Sequence, residues 1–180
     1  MLICRRIERG RLFAGFIMLI REFKIGDENA LWEVFYSAIH VTAAADYSAA
    51  HLEAWATSVN PDLAKWSRRV QAMRPFVAEH DRTIVGYADV QPNGYIDHFY
   101  VSPTMGRRGV GSTLMQRIHE VALIQKNESL FSNVSLTARP FFERWGFEIQ
   151  SSTPALIGGL SFANFQMRKL ITPRTPIEIA

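Results

Sequence analysis

The residues with the clearest chemical potential are three glycines and two arginines in one short turn. Gly106, Gly109 and Gly111 lie in the run GRRGVGS, between a strand-like stretch and an amphipathic helical stretch. Glycine allows positive φ and a close approach of the backbone to a ligand. The first N–H groups of the following helix lack internal partners and carry partial positive charge. Together with Arg107 and Arg108, these amides predict a pyrophosphate-binding site.

Two other interpretations of this turn have to be weighed. The stretch from Gly106 to Thr113 nearly matches the nucleotide P-loop G-x-x-x-x-G-K-[ST], but Ser112 stands where that motif requires lysine. The missing lysine carries the charge that contacts the β- and γ-phosphates, which argues against an NTPase. The other interpretation is an ordinary tight turn with solvated arginines. The strand before the turn and the helix after it favour a ligand site.

A second group of reactive side chains lies in the stretch YIDHFYV, residues 95–101. Alternation along a strand would place His98 and Tyr100 on one face. An acidic residue inside an apolar strand has an energetic cost, so Asp97 is either functional or hydrogen-bonded to a neighbouring backbone. The opposite face would carry Tyr95, Asp97, Phe99 and Val101.

The elements around these residues follow from hydrophobic periodicity and turn residues. Helices are predicted after Asp27 as N-cap, after Ser48 and at Asn60-Pro61, then from Val110 and over 138–145. The order βααα-βββ-αβ-αββ predicts an α/β (α+β) fold whose mixed, mostly antiparallel central sheet of about seven strands is flanked by helices. The strands are predicted at 19–24, 74–79, 83–90, 95–101, 131–136, 147–151 and 160–170.

The composition indicates one globular domain, with 48% apolar and 21% charged residues in a chain of 180. The net charge is +3, and residues 1–17 carry that excess as four arginines and one glutamate. The rest of the chain is neutral, so we expect no nucleic-acid partner. The lone cysteine, Cys4, allows no disulfide framework or zinc-ligand spacing, so we expect no metal and a cytoplasmic setting.

The N-terminus needs a separate interpretation. The apolar run Leu12–Ile20 follows arginines as in a signal peptide, but it is shorter than the roughly 20 residues that span a bilayer and shows no small-residue cleavage site. We expect residues 1–17 to be a disordered extension or a start-site artefact before Met18, with a targeting segment as the alternative. Residues 18–172 would form the domain and 173–180 a tail. No membrane association is expected.

Two stretches resemble the markers of the GNAT N-acetyltransferase superfamily. In FYVSPTMGRRGVGSTLMQRIHEVA, Gly109 and Gly111 match the glycines of [Q/R]-x-x-G-x-[G/A], whereas Gly106 stands where Gln or Arg is usual. ARPFFERWGF, residues 138–147, resembles A-x-x-x-Y-E-x-x-G-F. The combination of HVTAAADYSAAHLEAWA, residues 40–56, with YIDHFYV and ARPFFERWGF resembles a small bacterial subgroup of uncharacterised acetyltransferases.

The resemblance implies the GNAT acyl-CoA N-acyltransferase fold with acetyl-CoA as co-substrate. The helix that begins at Ala138 and contains Phe142 would flank the cofactor. The backbone of Phe99, Tyr100 and Val101 would pair with its pantetheine arm. The pyrophosphate would be held by the loop that follows Gly106, through Arg107, Arg108, Gly109, Val110, Gly111 and Ser112.

The resemblance also implies transfer of the acetyl group to a primary amine by direct attack in a ternary complex. The amine must first lose a proton, because an alkylammonium has a pKa near ~10.4. Asp97 is the first candidate base and His98 the second. Many relatives protonate the leaving thiol with a tyrosine whose place is taken here by Phe142. Tyr47, Tyr95 and Tyr100 are candidate replacements.

The acceptor, a small-molecule or peptide amine, is expected against the helices of residues 40–66. Tyr47, His51 and Trp55 are its candidate contacts, with an aromatic core patch as the structural alternative. Edge strands near the C-terminus make a homodimer a possible assembly. The absence of the marker tyrosine keeps a non-catalytic acyl-CoA sensor open as the other function, beside the nucleotide-binding protein.

Overall fold

The fold, a computed structural model that describes residues 9–13, 16–59 and 62–171, combines five helices with eleven strands in those residues. The helices are α1 (Glu28–Ser37), α2 (Ala49–Val59), α3 (Leu63–Met73), α4 (Val110–Ile124) and α5 (Arg139–Arg144). The strands are β1 (Arg9–Phe13), β2 (Phe16–Glu22), β3 (Phe76–His80), β4 (Thr83–Ala88), β5 (Tyr95–Ile96), β6 (Phe99–Val101), β7 (Ser129–Ser135), β8 (Glu148–Ser152), β9 (Ala155–Ile157), β10 (Leu160–Phe162) and β11 (Asn164–Leu170).

Two sheets contain nine of these strands. The first has the order β1-β2-β3-β4-β6 and is antiparallel throughout. The second has the order β5-β7-β11-β8, in which only β5 and β7 are parallel. Strands β9 and β10 form a separate hairpin. The prediction of a mixed, mostly antiparallel arrangement flanked by helices is confirmed. The strand predicted over 160–170 is divided between β10 and β11.

The N-terminal boundary predicted at residue 18 falls inside a hairpin. Strand β2 begins at Phe16, and β1 pairs with it from Arg9 to Phe13. Residues 1–8 and 172–180, which include eight of the 17 residues of the predicted extension and the whole predicted tail, lie outside the described residues. Part of the segment predicted to be disordered is thus an edge strand of the first sheet.

The helices predicted after Asp27 and after Ser48 begin at the predicted positions, but the capping contact predicted at Asp27 is absent. Asp27 occupies the N-cap of α1, but its carboxylate accepts no bond from the helix and instead binds the Arg21 guanidinium at 2.7 and 2.9 Å. This ion pair connects α1 to β2. Helix α3 is capped by the carboxylate of Asp62, which accepts the N–H of Ala64 at 2.9 Å. The predicted start at 60–61 lies outside the described residues.

Two apolar clusters hold the layers together. One lies between the sheets and α4 and α5, and it includes Leu114 and Phe142. The other lies under α1, α2 and α3, where Trp66 is fully buried and donates its indole N–H to the Glu28 carbonyl at 2.7 Å. Side chains of β6 contribute to both clusters, since Phe99 packs on the first and Tyr100 on the second. Strand β6 therefore lies where the two halves of the protein meet.

The close approach of α4 to β4 depends on a single glycine. A Cβ at Gly86 would lie 2.9 Å from Cγ1 of Val110 and 3.1 Å from the carbonyl oxygen of Tyr100. Both distances are shorter than ordinary van der Waals contacts. No larger residue fits there unless α4 moves away from the sheet.

We expect Gly86→Val to lower the free energy of unfolding by about 1–3 kcal/mol, because overpacking displaces the start of α4. Chemical denaturation measures this change. Thr83→Val is the matched control: it introduces the same side chain at an exposed position of β4 and should change stability by less than about 0.5 kcal/mol. Equal stability of Gly86→Val and the wild type would mean that the helix has room to shift.

Candidate active site

Two cavities meet at strand β6. The first, of about 510 Å³, runs along the glycine turn and the starts of α4 and α5. The second, of about 330 Å³, lies between α2, α3, β5, β7 and the β9–β10 hairpin. The two cavities adjoin, and the region between them is called the passage below. Six residues line both cavities: Trp55, Phe99, Tyr100, Ser135, Ala138 and Phe142.

The glycine turn uses its three glycines in different ways. Only Gly109 has positive φ, at +85°, and it is the N-cap of α4. Arg107, two residues earlier, also adopts the left-handed backbone conformation, with φ of +61°. Gly106 has φ of −57°, and Gly111 lies within α4, where an added Cβ would be 3.3 Å from the Phe141 ring. The expectation of positive φ at all three glycines is therefore wrong for Gly106 and Gly111.

The start of α4 leaves amide groups free beside the first cavity. Thr113 is the first residue whose N–H bonds within the helix, to the Gly109 carbonyl at 2.9 Å. The preceding amides belong to Val110, Gly111 and Ser112, and these three residues line the cavity. Arg107 and Gly106 line it as well, whereas Arg108, predicted to join them, does not. Free amides, the positive end of the helix and the Arg107 guanidinium make this an anion-binding arrangement.

The strand predicted over 95–101 is interrupted at Asp97 and His98. The N–H groups of both residues donate to one carboxylate oxygen of Asp89, at 3.0 and 2.6 Å. Strand β5 then pairs with β7 in the second sheet, while β6 pairs with β4 in the first. Because β6 ends the order of its sheet, its other edge faces the passage between the cavities.

The interruption changes which way the side chains point. Strict alternation predicts opposite faces for Asp97 and His98, but the Asp97 carboxylate lies 3.8 Å from Nε2 of His98. It also lies 3.0 Å from a terminal nitrogen of Arg69, which extends from α3. Strict alternation therefore does not hold across Asp97 and His98, because the ladder is broken there. Asp97, Arg69 and His98 all line the second cavity.

His98 is buried and neutral. Its side chain is 3% exposed, Nδ1 lies 3.0 Å from the Tyr87 hydroxyl, and the ring stacks on Phe35. Burial lowers the pKa of His98 to about 4, with the Arg69 charge adding to the effect. Asp97, whose side chain is about one-third exposed, is the more accessible of the two groups to a substrate amine.

The three tyrosines predicted to replace the marker tyrosine occupy different environments. The Tyr47 hydroxyl is engaged twice, as acceptor from the Leu136 N–H at 3.0 Å and as donor to the Ala163 carbonyl at 3.3 Å. Tyr95 lines only the second cavity, where its hydroxyl accepts the Asn133 amide at 3.3 Å. Tyr100 alone of the three lines both cavities. Burial raises its pKa, so the phenol keeps its proton.

Phe142, in the place of the marker tyrosine, is 2% exposed and lies at the junction of the cavities. Its ring packs edge-on against Phe99 and Phe147, with centroids at 5.8 and 5.0 Å. Ala138, at the N-cap of α5, lies beside it at the same junction. The side chain thus forms an apolar wall and supplies no proton.

The predicted acceptor contacts divide into two that line the second cavity and one that does not. Tyr47 and Trp55 line it, and both pack around Phe162 of β10, with centroid distances of 5.5 and 6.1 Å. His51 is outside the lining; its ring nitrogens lie 2.7 Å from the Ser48 hydroxyl and 3.3 Å from the Ser161 carbonyl. His51 therefore joins α2 to the hairpin.

Several lining residues were missed from the sequence. Asp89 is 2% exposed, and its strand-end position in YADVQP offered only the weak signal of an acid after an apolar run. Arg69 sits on the polar face of an amphipathic helix and looks like a solvated charge. The β9–β10 hairpin closes the second cavity through Ala155, Ile157 and Phe162. Its role depends on a contact more than a hundred residues away along the chain.

Metal and membrane sites were also considered. Within residues 9–13, 16–59 and 62–171, no cluster of three or more His, Cys, Asp or Glu side chains has the spacing of a metal site. No helix in this part of the chain is both long enough and apolar enough to cross a bilayer.

Asp89 predicts a specific pH dependence of stability. Burial raises its pKa from the ordinary 3.8 to about 6, and its second oxygen has no partner among the described residues. A raised carboxyl pKa means that the folded state holds the proton more tightly, so this stabilisation is present below pH 3.8 and is lost as the pH rises through 6.

Relative to Asp89→Asn, the wild type should therefore lose about 3 kcal/mol of unfolding free energy between pH 4 and 6, with no further change above that window. Urea denaturation at several pH values measures this difference. Asp81→Asn, at a side chain 87% exposed, is the control and should follow the wild-type profile. Parallel profiles for the wild type and Asp89→Asn would contradict the assignment.

Comparison with known proteins agrees with this architecture. Residues 43–169 match the family model of the acetyltransferase (GNAT) domain. The chain is 34% identical over 149 residues to the uncharacterized N-acetyltransferase YafP of Escherichia coli (strain K12), covering 83% of this chain and 93% of that protein.

Solved structures give the same result. A GCN5-related N-acetyltransferase from Rhodopseudomonas palustris superposes with a TM-score of 0.79 at 28% identity, covering 84% of this chain and 94% of that one. PaiA N-acetyltransferase from Thermoplasma acidophilum, solved with coenzyme A, has a TM-score of 0.68 at 20% identity over 85% and 98% of the two chains. With most of its length matched by the family model, the chain belongs to the GNAT acetyltransferase family and is an acyltransferase.

Proposed function

We propose that the protein transfers an acetyl group from acetyl-CoA to a primary amine by direct attack in a ternary complex. The observation that carries this proposal is the passage in which two cavities meet at β6, one beside a set of free amides and one beside a carboxylate. Each cavity accepts one substrate, and the shared lining brings the reacting ends together. No covalent enzyme intermediate is needed for this geometry.

The first cavity supplies the cofactor site. The free amides of residues 110–112 and the Arg107 guanidinium bind the pyrophosphate, and the open edge of β6 pairs with the pantetheine arm. Phe142 and Ala138 form the opposite wall. Two structural neighbours support this assignment, since PaiA was solved with coenzyme A and YncA from Salmonella typhimurium with acetyl-CoA.

The second cavity supplies the acceptor site and the base. Asp97 lines it two residues before Phe99, which lies at the junction. The Asp97 carboxylate takes a proton from the acceptor ammonium, directly or through a water, and the neutral nitrogen then attacks the thioester carbonyl carbon. The C–N bond forms, the nitrogen gives up its second proton to solvent, the C–S bond breaks, and the thiolate leaves as coenzyme A. An N–H group at the open edge of β6 stabilises the tetrahedral oxyanion.

Tyr100 takes the place of the marker tyrosine as the proton donor to the leaving thiolate. It is the one candidate hydroxyl of the three that lines both cavities, and burial raises its pKa so that it stays protonated. A thiol with a pKa near ~8.5 also leaves tolerably as the thiolate, so this proton transfer assists the reaction without being its main barrier.

A non-catalytic acyl-CoA sensor is the second candidate, and Phe142 is the observation that favours it. A sensor needs only the first cavity. A sensor function does not explain the second cavity of about 330 Å³, which Asp97 lines. Turnover with any amine excludes the sensor.

We expect Gly109→Ala to weaken coenzyme A binding about five- to thirtyfold, because an L-residue at the N-cap of α4 avoids the left-handed conformation by about 1–2 kcal/mol and the turn relaxes out of its binding geometry. Isothermal titration measures the affinity. Gly106→Ala is the matched control; its φ of −57° suits any residue, so affinity should change less than about threefold. If the wild type binds neither coenzyme A nor acetyl-CoA, the turn has only a structural role and the proposed function is wrong.

We expect Asp97→Asn to lower kcat at least tenfold while the affinity for acetyl-CoA changes little, because Asp97 lines only the second cavity. The amide keeps a hydrogen-bond acceptor for Arg69 but cannot take a proton. Steady-state kinetics by thiol release gives kcat, and titration gives the affinity. Glu53→Gln, on an exposed face of α2 outside both linings, is the control and should behave as the wild type. Unchanged turnover in Asp97→Asn would remove this residue from the mechanism.

A further inference from the structure

The acceptor cavity contains one cation and one anion, and they face each other. Arg69 of α3 and Asp97 are joined by a single contact of 3.0 Å between a terminal nitrogen and Oδ2. Their side chains are 42% and 31% exposed, so both remain accessible to a ligand. Exposed pairs of this kind contribute little to stability. Their place in the cavity therefore calls for another explanation.

The charge balance of the cavity limits what can bind. Arg69 and Asp97 are the only Lys, Arg, Asp or Glu side chains in its described lining. His98 lines it as well but is neutral, because burial lowers its pKa to about 4. A polyamine would bring several positive charges against one carboxylate and a guanidinium. A ligand with one positive and one negative charge matches the cavity.

The guanidinium of Arg69 has free capacity for an anion. It carries five N–H donors, and only one of its nitrogens is engaged among the described residues. A planar guanidinium matches a carboxylate with two parallel hydrogen bonds, a geometry that an ammonium group cannot reproduce. Arg69 is thus suited to bind a substrate carboxylate at the mouth of the acceptor cavity.

A zwitterionic α-amino acid can replace the contact between Arg69 and Asp97 without changing the net charge of the cavity. Only the Cα and the carboxyl carbon separate its nitrogen from its carboxylate oxygens. Its carboxylate binds Arg69 and its ammonium binds Asp97, so one internal ion pair becomes two pairs with the substrate. The same exchange frees Asp97 from Arg69 and turns it toward the nitrogen that must lose a proton.

One wall of the cavity suits an apolar substituent. This wall is built from Ala155, Ile157 and Phe162 of the hairpin, and Phe162 is flanked by Tyr47 and Trp55. The Tyr47 hydroxyl beside this wall is already engaged with the Ala163 carbonyl and the Leu136 N–H. An apolar or aromatic side chain placed against this wall would bury apolar surface.

From this arrangement we infer that the acceptors are free α-amino acids with apolar side chains, whose carboxylate is bound by Arg69 and whose amine is presented to Asp97. The inference rests on the proposed function and narrows its acceptor class. It excludes peptide N-termini, because a peptide bond replaces the carboxylate that Arg69 would bind.

The test compares matched acceptors that differ only in the carboxylate. L-leucine, L-methionine and L-phenylalanine are each paired with their decarboxylated amine and their carboxamide, with acetyl-CoA as donor. We expect at least a tenfold higher kcat/KM for each preferred amino acid than for its two partners. Arg69→Gln should lower this ratio at least tenfold, whereas a general folding defect lowers both values and leaves the ratio intact. Arg68→Gln, an exposed neighbour outside the cavity lining, should keep the wild-type ratio.

Binding of the same compounds in the presence of coenzyme A, measured by titration calorimetry, separates the two hypotheses. Arg69-dependent binding of the amino acids without acetylation of any compound supports the ligand class and overturns the proposed function. Acetylation of simple amines with no preference for amino acids overturns the inference and leaves the function standing. If none of the compounds is bound and none is acetylated, the inference and the proposed function are both overturned.

Discussion

Two hydrogen bonds to a single oxygen of Asp89 divide one stretch of chain between two sheets. The N–H groups of Asp97 and His98 both donate to this oxygen, so neither takes part in a strand ladder. The segment before them joins β7 and the segment after them joins β4. The sheets separate at this point, and the passage between the two cavities opens there. Burial raises the pKa of the Asp89 carboxyl and so destabilises its charged form. Its two hydrogen bonds fix the backbone at Asp97 and His98.

The other parts of the site are built around this opening. Helix α4 can bring its free amides to the edge of β6 because Gly86 lets it lie close to β4. On the opposite side, α3 brings Arg69 to Asp97, and the β9–β10 hairpin closes the wall beside Trp55. In the proposed function the two substrates would meet at a strand end that belongs to neither apolar cluster alone. Phe142 and Tyr100 both line that junction.

Features that depend on one continuous segment of the chain were predictable from the sequence. The order of helices and strands, the mostly antiparallel arrangement and the position of the turn before α4 were all predictable from periodicity and turn residues. The three glycines of this turn could be identified, but only the backbone angles show that Gly109 differs from Gly106 and Gly111. Arg108, His51 and the alternation across Asp97 and His98 were predicted differently from what the structure shows. The cytoplasmic setting and the homodimer stay predictions.

What the sequence determined by itself is local: the elements, the anion-binding turn, the family resemblance and the list of side chains able to do chemistry. Only the tertiary structure decided which of them meet. Asp89 acts on residues eight and nine positions later, Arg69 reaches Asp97 from 28 positions earlier, and Tyr47 contacts a carbonyl 116 positions away. Such contacts leave no periodic pattern, because their energy comes from packing between elements and not from the order of neighbours along the chain.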